Sequence, residues 1–151
     1  MYELVEYNKK YEEQLIKLWV DVCVEEFGFE EWRDGMSKVE EELYEKIWIA
    51  VIDNKVVGSI AYIDKGDSIA EIKRVYVYAE HRGTGISQQF MDVLIDELEE
   101  KGYEKVVLET WSKFNRGINF YTKNKFQLIE QDGECYKYER DLSVAQIIEA
   151  I

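Results

Sequence analysis

Val75-Tyr76-Val77-Tyr78-Ala79-Glu80-His81-Arg82-Gly83-Thr84-Gly85-Ile86-Ser87-Gln88 is the stretch on which the fold turns. Its start alternates as a strand, its middle turns on two glycines, and its end opens a helix. Ile86, Phe90, Val93, Leu94 and Leu98 lie on one face of that helix, and Gly102 stops it. A strand that passes through such a turn into a helix exposes several backbone N–H groups. The helix start adds about half a positive charge. Together they suit a pyrophosphate. Glycine matters here because a Cβ would hold phosphates away from the backbone.

Upstream of this stretch, Glu3 to Tyr7 alternates as a short strand. Leu15, Leu18, Trp19, Val22, Cys23 and Phe27 then recur at helical spacing up to Gly28. After an irregular stretch over 29 to 37, the acidic run predicts a short helix from Lys38 to Lys46. Ile47 to Ile52 and Lys55 to Ile63 form a hairpin around Asp53-Asn54, and Ser68 to Tyr78 follows as a long strand. Downstream, Val106 to Thr110 is a strand and Phe114, Ile118 and Tyr121 mark a helix. Phe126 to Glu130 and Glu134 to Arg140 make a second hairpin around Asp132-Gly133. Ser143 caps a last helix containing Val144, Ile147 and Ile148. Proline is absent, so turns depend on Gly, Asn and Asp. Hairpins imply antiparallel neighbours. The passage from 68 to 110 implies a right-handed crossover between parallel strands.

The 151 residues suffice for one domain with a real core, and no linker or repeat divides them. The single expected domain covers 1–151. Hydrophobic residues at 46% and charged residues at 34% describe a globular chain. No apolar run spans a bilayer, and the N-terminus does not read as a signal peptide, so a cytoplasmic protein with no membrane partner is expected. Cys23 and Cys135 lack metal-type spacing and read as reduced thiols. One histidine, His81, excludes a multi-histidine metal site, so no metal is expected. The net charge of −13 opposes nucleic-acid binding and reads first as solubility, second as attraction for a cationic acceptor.

The glycine turn alone leaves three readings open. A dinucleotide fingerprint needs a third glycine where Gln88 stands, and a Walker loop needs a Gly-Lys-Ser/Thr that is missing. The third reading is a plain connection. The flanking residues favour a further possibility. The stretch resembles motif A of the GNAT N-acyltransferase superfamily, Gln/Arg-x-x-Gly-x-Gly/Ala. It matches at Arg82 and Gly85, with Gly83 a frequent extra glycine, Ser87 in place of Gly/Ala, and Ala79 where many members carry proline. Residues 114–126 resemble motif B, Asn-x-x-Ala-x-x-Leu/Phe-Tyr-x-Lys-x-Gly-Phe, at Phe120, Tyr121, Lys123 and Phe126. Phe114 takes the Asn position, Gly117 the Ala position and Lys125 the Gly position.

The resemblance implies an α/β (α+β) fold. It is a GNAT-like mixed, mostly antiparallel twisted sheet of about seven strands, flanked by about four helices, with a parallel crossover after the fourth strand. It implies acetyl-CoA as co-substrate. Val75, Tyr76 and Val77 would hold pantetheine through their backbone, past a bulge that frees amides for the ligand. The Val77 amide would face the thioester oxyanion. Arg82, Gly83, Thr84, Gly85, Ile86, Ser87 and Gln88 would hold the pyrophosphate. Asn115, Tyr121 and Lys123 complete the implied cofactor contacts.

Acetyl transfer to an amine needs a base for the ammonium and is helped by an acid for the leaving thiolate. Glu71, in an Ala-Glu-Ile setting that some family members share, is the candidate base; the alternative is a solvated strand glutamate paired with Lys73 or Arg74. Alternation puts Glu71, Lys73, Val75 and Val77 on one face. Tyr121 is the candidate acid; the alternative is a core aromatic. Phe29, Trp32 and Met36, with Glu71, Glu109 and Trp111, are the expected acceptor side. His81 reads as structural and Cys135 as no nucleophile. The expected activity is N-acetyl transfer to a primary amine of a small molecule or peptide, by direct attack in a ternary complex. The expected protein is a monomer or homodimer. The rival is a non-catalytic acyl-CoA-sensing module on the same fold.

Overall fold

The computed structural model describes residues 1–30 and 36–142. Seven strands form one mixed sheet in the order β1-β2-β3-β4-β5-β7-β6. They are β1 (Glu3–Glu6), β2 (Lys46–Ile52), β3 (Lys55–Gly66), β4 (Ile69–Val77), β5 (Lys105–Trp111), β6 (Gln127–Asp132) and β7 (Cys135–Asp141). Three α-helices occur among the described residues: α1 (Glu12–Phe27), α2 (Ile86–Glu100) and α3 (Asn115–Lys123).

The expected count of about four helices is therefore corrected to three among the described residues. The acidic segment does not form the expected helix over Lys38 to Lys46. Only a 3-10 turn, Glu41–Leu43, appears, and β2 has begun by Lys46. Pairing outcompetes the helix, since Glu45 N–H already donates to the Tyr62 carbonyl. Val39 is buried and its N–H is taken by the Glu12 carboxylate at 3.0 Å. The expected helix after Ser143 lies outside the described residues.

The chain packs as two compact units, Met1–Ile63 with Lys73–Ile95, and Asp64–Ile72 with Asp96–Ile151. In the first, α1 lays Leu15, Leu18, Trp19 and Val22 against Ile47, Ile49 and Val51 of β2 and Val56 and Ala61 of β3. The β2–β3 hairpin turns on Asp53 and Asn54, both at positive φ (49° and 66°). That is the backbone a two-residue turn needs to match strand twist, and Asn and Asp tolerate it best after glycine. Gln14 of α1 locks the turn by accepting from Val56 N–H and donating to the Asn54 carbonyl. In the second unit, β4 and β5 run parallel, pairing Ile69–Glu71 with Lys105–Val107. β7 pairs antiparallel with β5 along its length and carries β6 on its other side. Val106, Leu108, Tyr121, Phe126 and Tyr138 are buried in this unit.

Candidate functional site

β4 is not a uniform strand. Arg74, inside it, has φ +58°, a left-handed conformation rarely adopted by an L-residue with a long side chain. No glycine in the sequence marks this position. Val75, Tyr76 and Val77 follow Arg74 to the end of the strand. The Tyr76 phenol is pushed well above its ordinary value, by burial first and by the Cys23 thiol next.

Beyond β4, a short 3-10 turn, Ala79–His81, leads to the two glycines. Gly83 has φ +80° and Gly85 φ +89°, both in the region that glycine alone enters cheaply. A Cβ on Gly83 would meet nothing within 4 Å, and one on Gly85 only the Tyr2 hydroxyl at 4.0 Å. The glycines are there for backbone shape and for open space above them, not to avoid a neighbour. Gln89 N–H is the first α2 amide to reach a carbonyl one turn back, that of Gly85. The amides of Ile86, Ser87 and Gln88 precede it, where a helix has no carbonyl to offer them. The expected cradle from Gly83 to Gln88 is thus a turn with open space above both glycines, running into a helix N-terminus. Thr84 Oγ1 donates to the His81 carbonyl, which staples the turn.

Arg82 has a partner of its own. Its guanidinium pairs with Glu26 of α1 at 2.8 Å, both side chains largely covered. The pair ties the turn to the end of α1. His81 Nε2 lies 3.9 Å from Glu80, in keeping with a structural place. Gln88 Nε2 donates to Asp92 one turn on.

Glu71 is 5% exposed, and Lys65 Nζ stands 3.3 Å from its Oε1. It is therefore a buried carboxylate rather than a solvated one, and β3 supplies it with a cation.

Tyr121 is 7% exposed on α3, with Phe120 and Phe126 at ring-centroid distances of 5.6 and 5.9 Å. Burial raises its pKa far above the ordinary tyrosine value, so the phenol keeps its proton throughout the neutral range. The two motif-B departures at 114 and 117 are one structural event. A Cβ on Gly117 would lie 2.6 Å from two carbons of the Phe114 ring. The ring occupies the space an alanine methyl would need. Lys125 has φ +71°, which explains why glycine is usual at its position. Asn115 and Lys123 are exposed at the two ends of α3.

Glu109 and Trp111 of β5 come together with Thr110, Glu134 and Cys135 around an open cavity of about 390 Å³. Trp111 Nε1 donates to Glu134 at 3.3 Å, and Lys137 lies 3.7 Å from Glu109. The Trp111 hydrogen bond, then Lys113, hold the Glu134 carboxyl below its ordinary value. Partial burial, then Glu109, raise the Cys135 thiol, which removes it further from nucleophilic use. Phe29 is exposed and stacked on Phe27 at 5.6 Å, while Met36 packs against the core of the first unit. Trp32 lies outside the described residues. Among those residues no cluster of His, Cys, Asp and Glu could hold a metal ion, and no helix is long and apolar enough to cross a membrane.

The glycine turn, the parallel β4–β5 pair and the Phe-Tyr-x-Lys helix define an acyltransferase-type fold. Residues 5–126 match the model of the Acetyltransferase (GNAT) family, and the chain belongs to that family. An acetyltransferase of the GNAT family from Staphylococcus aureus Mu50 is 22% identical. Its crystal structure superposes with a TM-score of 0.82 over 95% of this chain and 100% of that one. The PaiA N-acetyltransferase of Thermoplasma acidophilum, crystallised in complex with coenzyme A, is 19% identical with a TM-score of 0.77 over 93% of this chain and 99% of its own. Rat N-acetyltransferase 8F1 is 29% identical over 85 residues, which cover 53% of this chain and 38% of the rat protein. The chain thus spans well under half the length of that relative. At these identities the solved structures establish the fold.

Proposed function

We propose that this chain, acting as one acyl-CoA domain, transfers an acetyl group from acetyl-CoA to a primary amine by direct attack in a ternary complex. The observation that carries the reading is the turn at Gly83 and Gly85. It has positive φ at both glycines, open space where a Cβ would stand, and a helix start behind it. Family membership supports the choice of acyl-CoA over another phosphorylated ligand.

In this reading the Gly83 to Gln88 backbone holds the pyrophosphate and the Val75–Val77 backbone holds pantetheine. Glu71 takes a proton from the acceptor ammonium, directly or through water. The free amine attacks the thioester carbonyl, and the Val77 amide supports the oxyanion. The C–S bond breaks as the departing sulfur takes the Tyr121 proton, and the acylated nitrogen releases its extra proton to water, from which the Tyr121 phenolate is reprotonated. The raised pKa of Tyr121 keeps the phenol protonated and so available as a donor at neutral pH, while making it a weaker acid than an ordinary tyrosine. Glu109 and Trp111 offer an aromatic face beside carboxylates, suited to a cationic amine of a small molecule or peptide.

A thermal shift with acetyl-CoA tests the first claim. Ligand at 100 times its dissociation constant stabilises the native state by about 2.7 kcal/mol. For a chain of this size that is a rise of roughly 5–10 °C in Tm. No rise at millimolar acetyl-CoA would overturn the assignment.

A further inference from the structure

A left-handed arginine inside a strand costs roughly 1–2 kcal/mol, so something must hold Arg74 there. Three groups do. Its guanidinium carbon lies 4.5 Å from the centroid of the Trp19 ring. Its Nε–H donates to the Tyr44 hydroxyl at 3.0 Å. Its carbonyl accepts the Ser59 hydroxyl at 2.8 Å, and the Ser59 oxygen in turn accepts Trp19 Nε1–H at 3.0 Å. Trp19 therefore holds the same residue twice, by its ring face and, through Ser59, by its ring N–H. The hydroxyl has no choice of direction, because an indole N–H only donates and a carbonyl only accepts. Ser59 is 0% exposed and Trp19 2%.

The neighbouring Gly58 fixes the strand just past Arg74. A Cβ there would stand 3.1 Å from the Tyr76 carbonyl oxygen and 3.2 Å from Val77 Cγ2. β3 thus sets both where β4 leaves its regular path and where it resumes.

We propose that Ser59 and Trp19 are positioning residues for the acyl-CoA arm. Their relay fixes the left-handed conformation of Arg74 and so the course along which Val75, Tyr76 and Val77 present their backbone to pantetheine. The inference rests on the acyl-CoA reading above. Both side chains are buried, so they act through Arg74 and not by touching the ligand. Without the hydroxyl the Arg74 carbonyl loses the Ser59 donor, and β4 is freer to leave the left-handed conformation. The backbone after Arg74 would then depart from its present course.

Calorimetry on Ser59→Ala and Trp19→Phe with two probes tests this. One probe is acetyl-CoA. The other is adenosine 3′-phosphate 5′-diphosphate, which carries the pyrophosphate without the pantetheine arm. Ser59→Ala should weaken acetyl-CoA binding about three- to tenfold, the range of one net hydrogen bond, and leave the nucleotide unchanged. Trp19→Phe keeps an aromatic ring under Arg74 but deletes the donor, and should show a smaller loss in the same direction. Wild-type affinity for acetyl-CoA in either folded variant would overturn the proposal. So would an equal loss of both probes, which marks general loosening of the fold. Wild-type protein that binds neither probe would remove the acyl-CoA reading itself, and the inference with it, before any variant is compared.

Discussion

Replacing Gly85 by glutamate separates the two properties of the cradle, its backbone shape and its openness. The φ of +89° makes any side chain there strained, at a cost of roughly 1–2 kcal/mol. No clash adds to it, since the nearest atom to a Cβ is the Tyr2 hydroxyl at 4.0 Å. The mutant should therefore fold, with Tm lowered by about 2–8 °C. Binding should suffer far more. A carboxylate about 5 Å from a phosphate charge, at an effective dielectric constant near 20, is repelled by about 3 kcal/mol. One such pair weakens binding by at least about a hundredfold. Gly85→Ala carries the same backbone strain without the charge, so it should lose similar stability and much less affinity. Titration calorimetry with acetyl-CoA on both variants, at low and high salt, isolates the electrostatic share, because salt should partly restore only the glutamate variant. A folded Gly85→Glu protein that binds acetyl-CoA within about threefold of wild type would refute the cradle.

With an acceptor in hand, Glu71→Gln should lower the rate across neutral pH and remove the acidic limb of the pH–rate profile; an unchanged limb would leave Glu71 as a structural partner of Lys65. Tyr121→Phe should lower turnover by about 100-fold or less at similar acetyl-CoA affinity, since a thiolate is already a fair leaving group. Because burial raises the Tyr121 pKa, the phenol stays protonated through the ordinary tyrosine range, so no basic limb below about pH 10 should belong to it. A limb in the wild type between pH 8 and 10 that Tyr121→Phe removes would contradict that assignment. Lys125→Gly relieves a left-handed lysine at φ +71° and should stabilise the protein by about 1 kcal/mol, or roughly 2–4 °C in Tm, without altering ligand affinity.

The fold was readable where pattern and turn chemistry agree. Asp53-Asn54 and Asp132-Gly133 announced their hairpins because few residues accept the backbone those turns need. The glycines at 83 and 85 announced the cradle for the same reason. Lys38 to Lys46 misled because acidic residues favour helix locally, while strand pairing at Glu45 and burial of Val39 are decided by distant partners. Arg74 was invisible for a related reason. Nothing in Lys73-Arg74-Val75 marks a left-handed residue, and what holds it comes from Trp19, Tyr44 and Ser59, from 15 to 55 positions away in sequence. Glu71 was identifiable as a carboxylate on the right strand. Its cation could not be, because Lys65 reaches it across a turn that brings β3 and β4 side by side.

The ring of Phe114 over Gly117 makes this helix order-dependent in its own history. Exchanging Gly117 for alanine first would drive a methyl into the ring at 2.6 Å, so that step meets a barrier despite alanine being the better helix former. Exchanging Phe114 for asparagine first empties the space, and the same alanine then fits. The two routes to one Asn–Ala sequence are not equivalent: Gly117→Ala should cost more stability while Phe114 is present than after it is replaced.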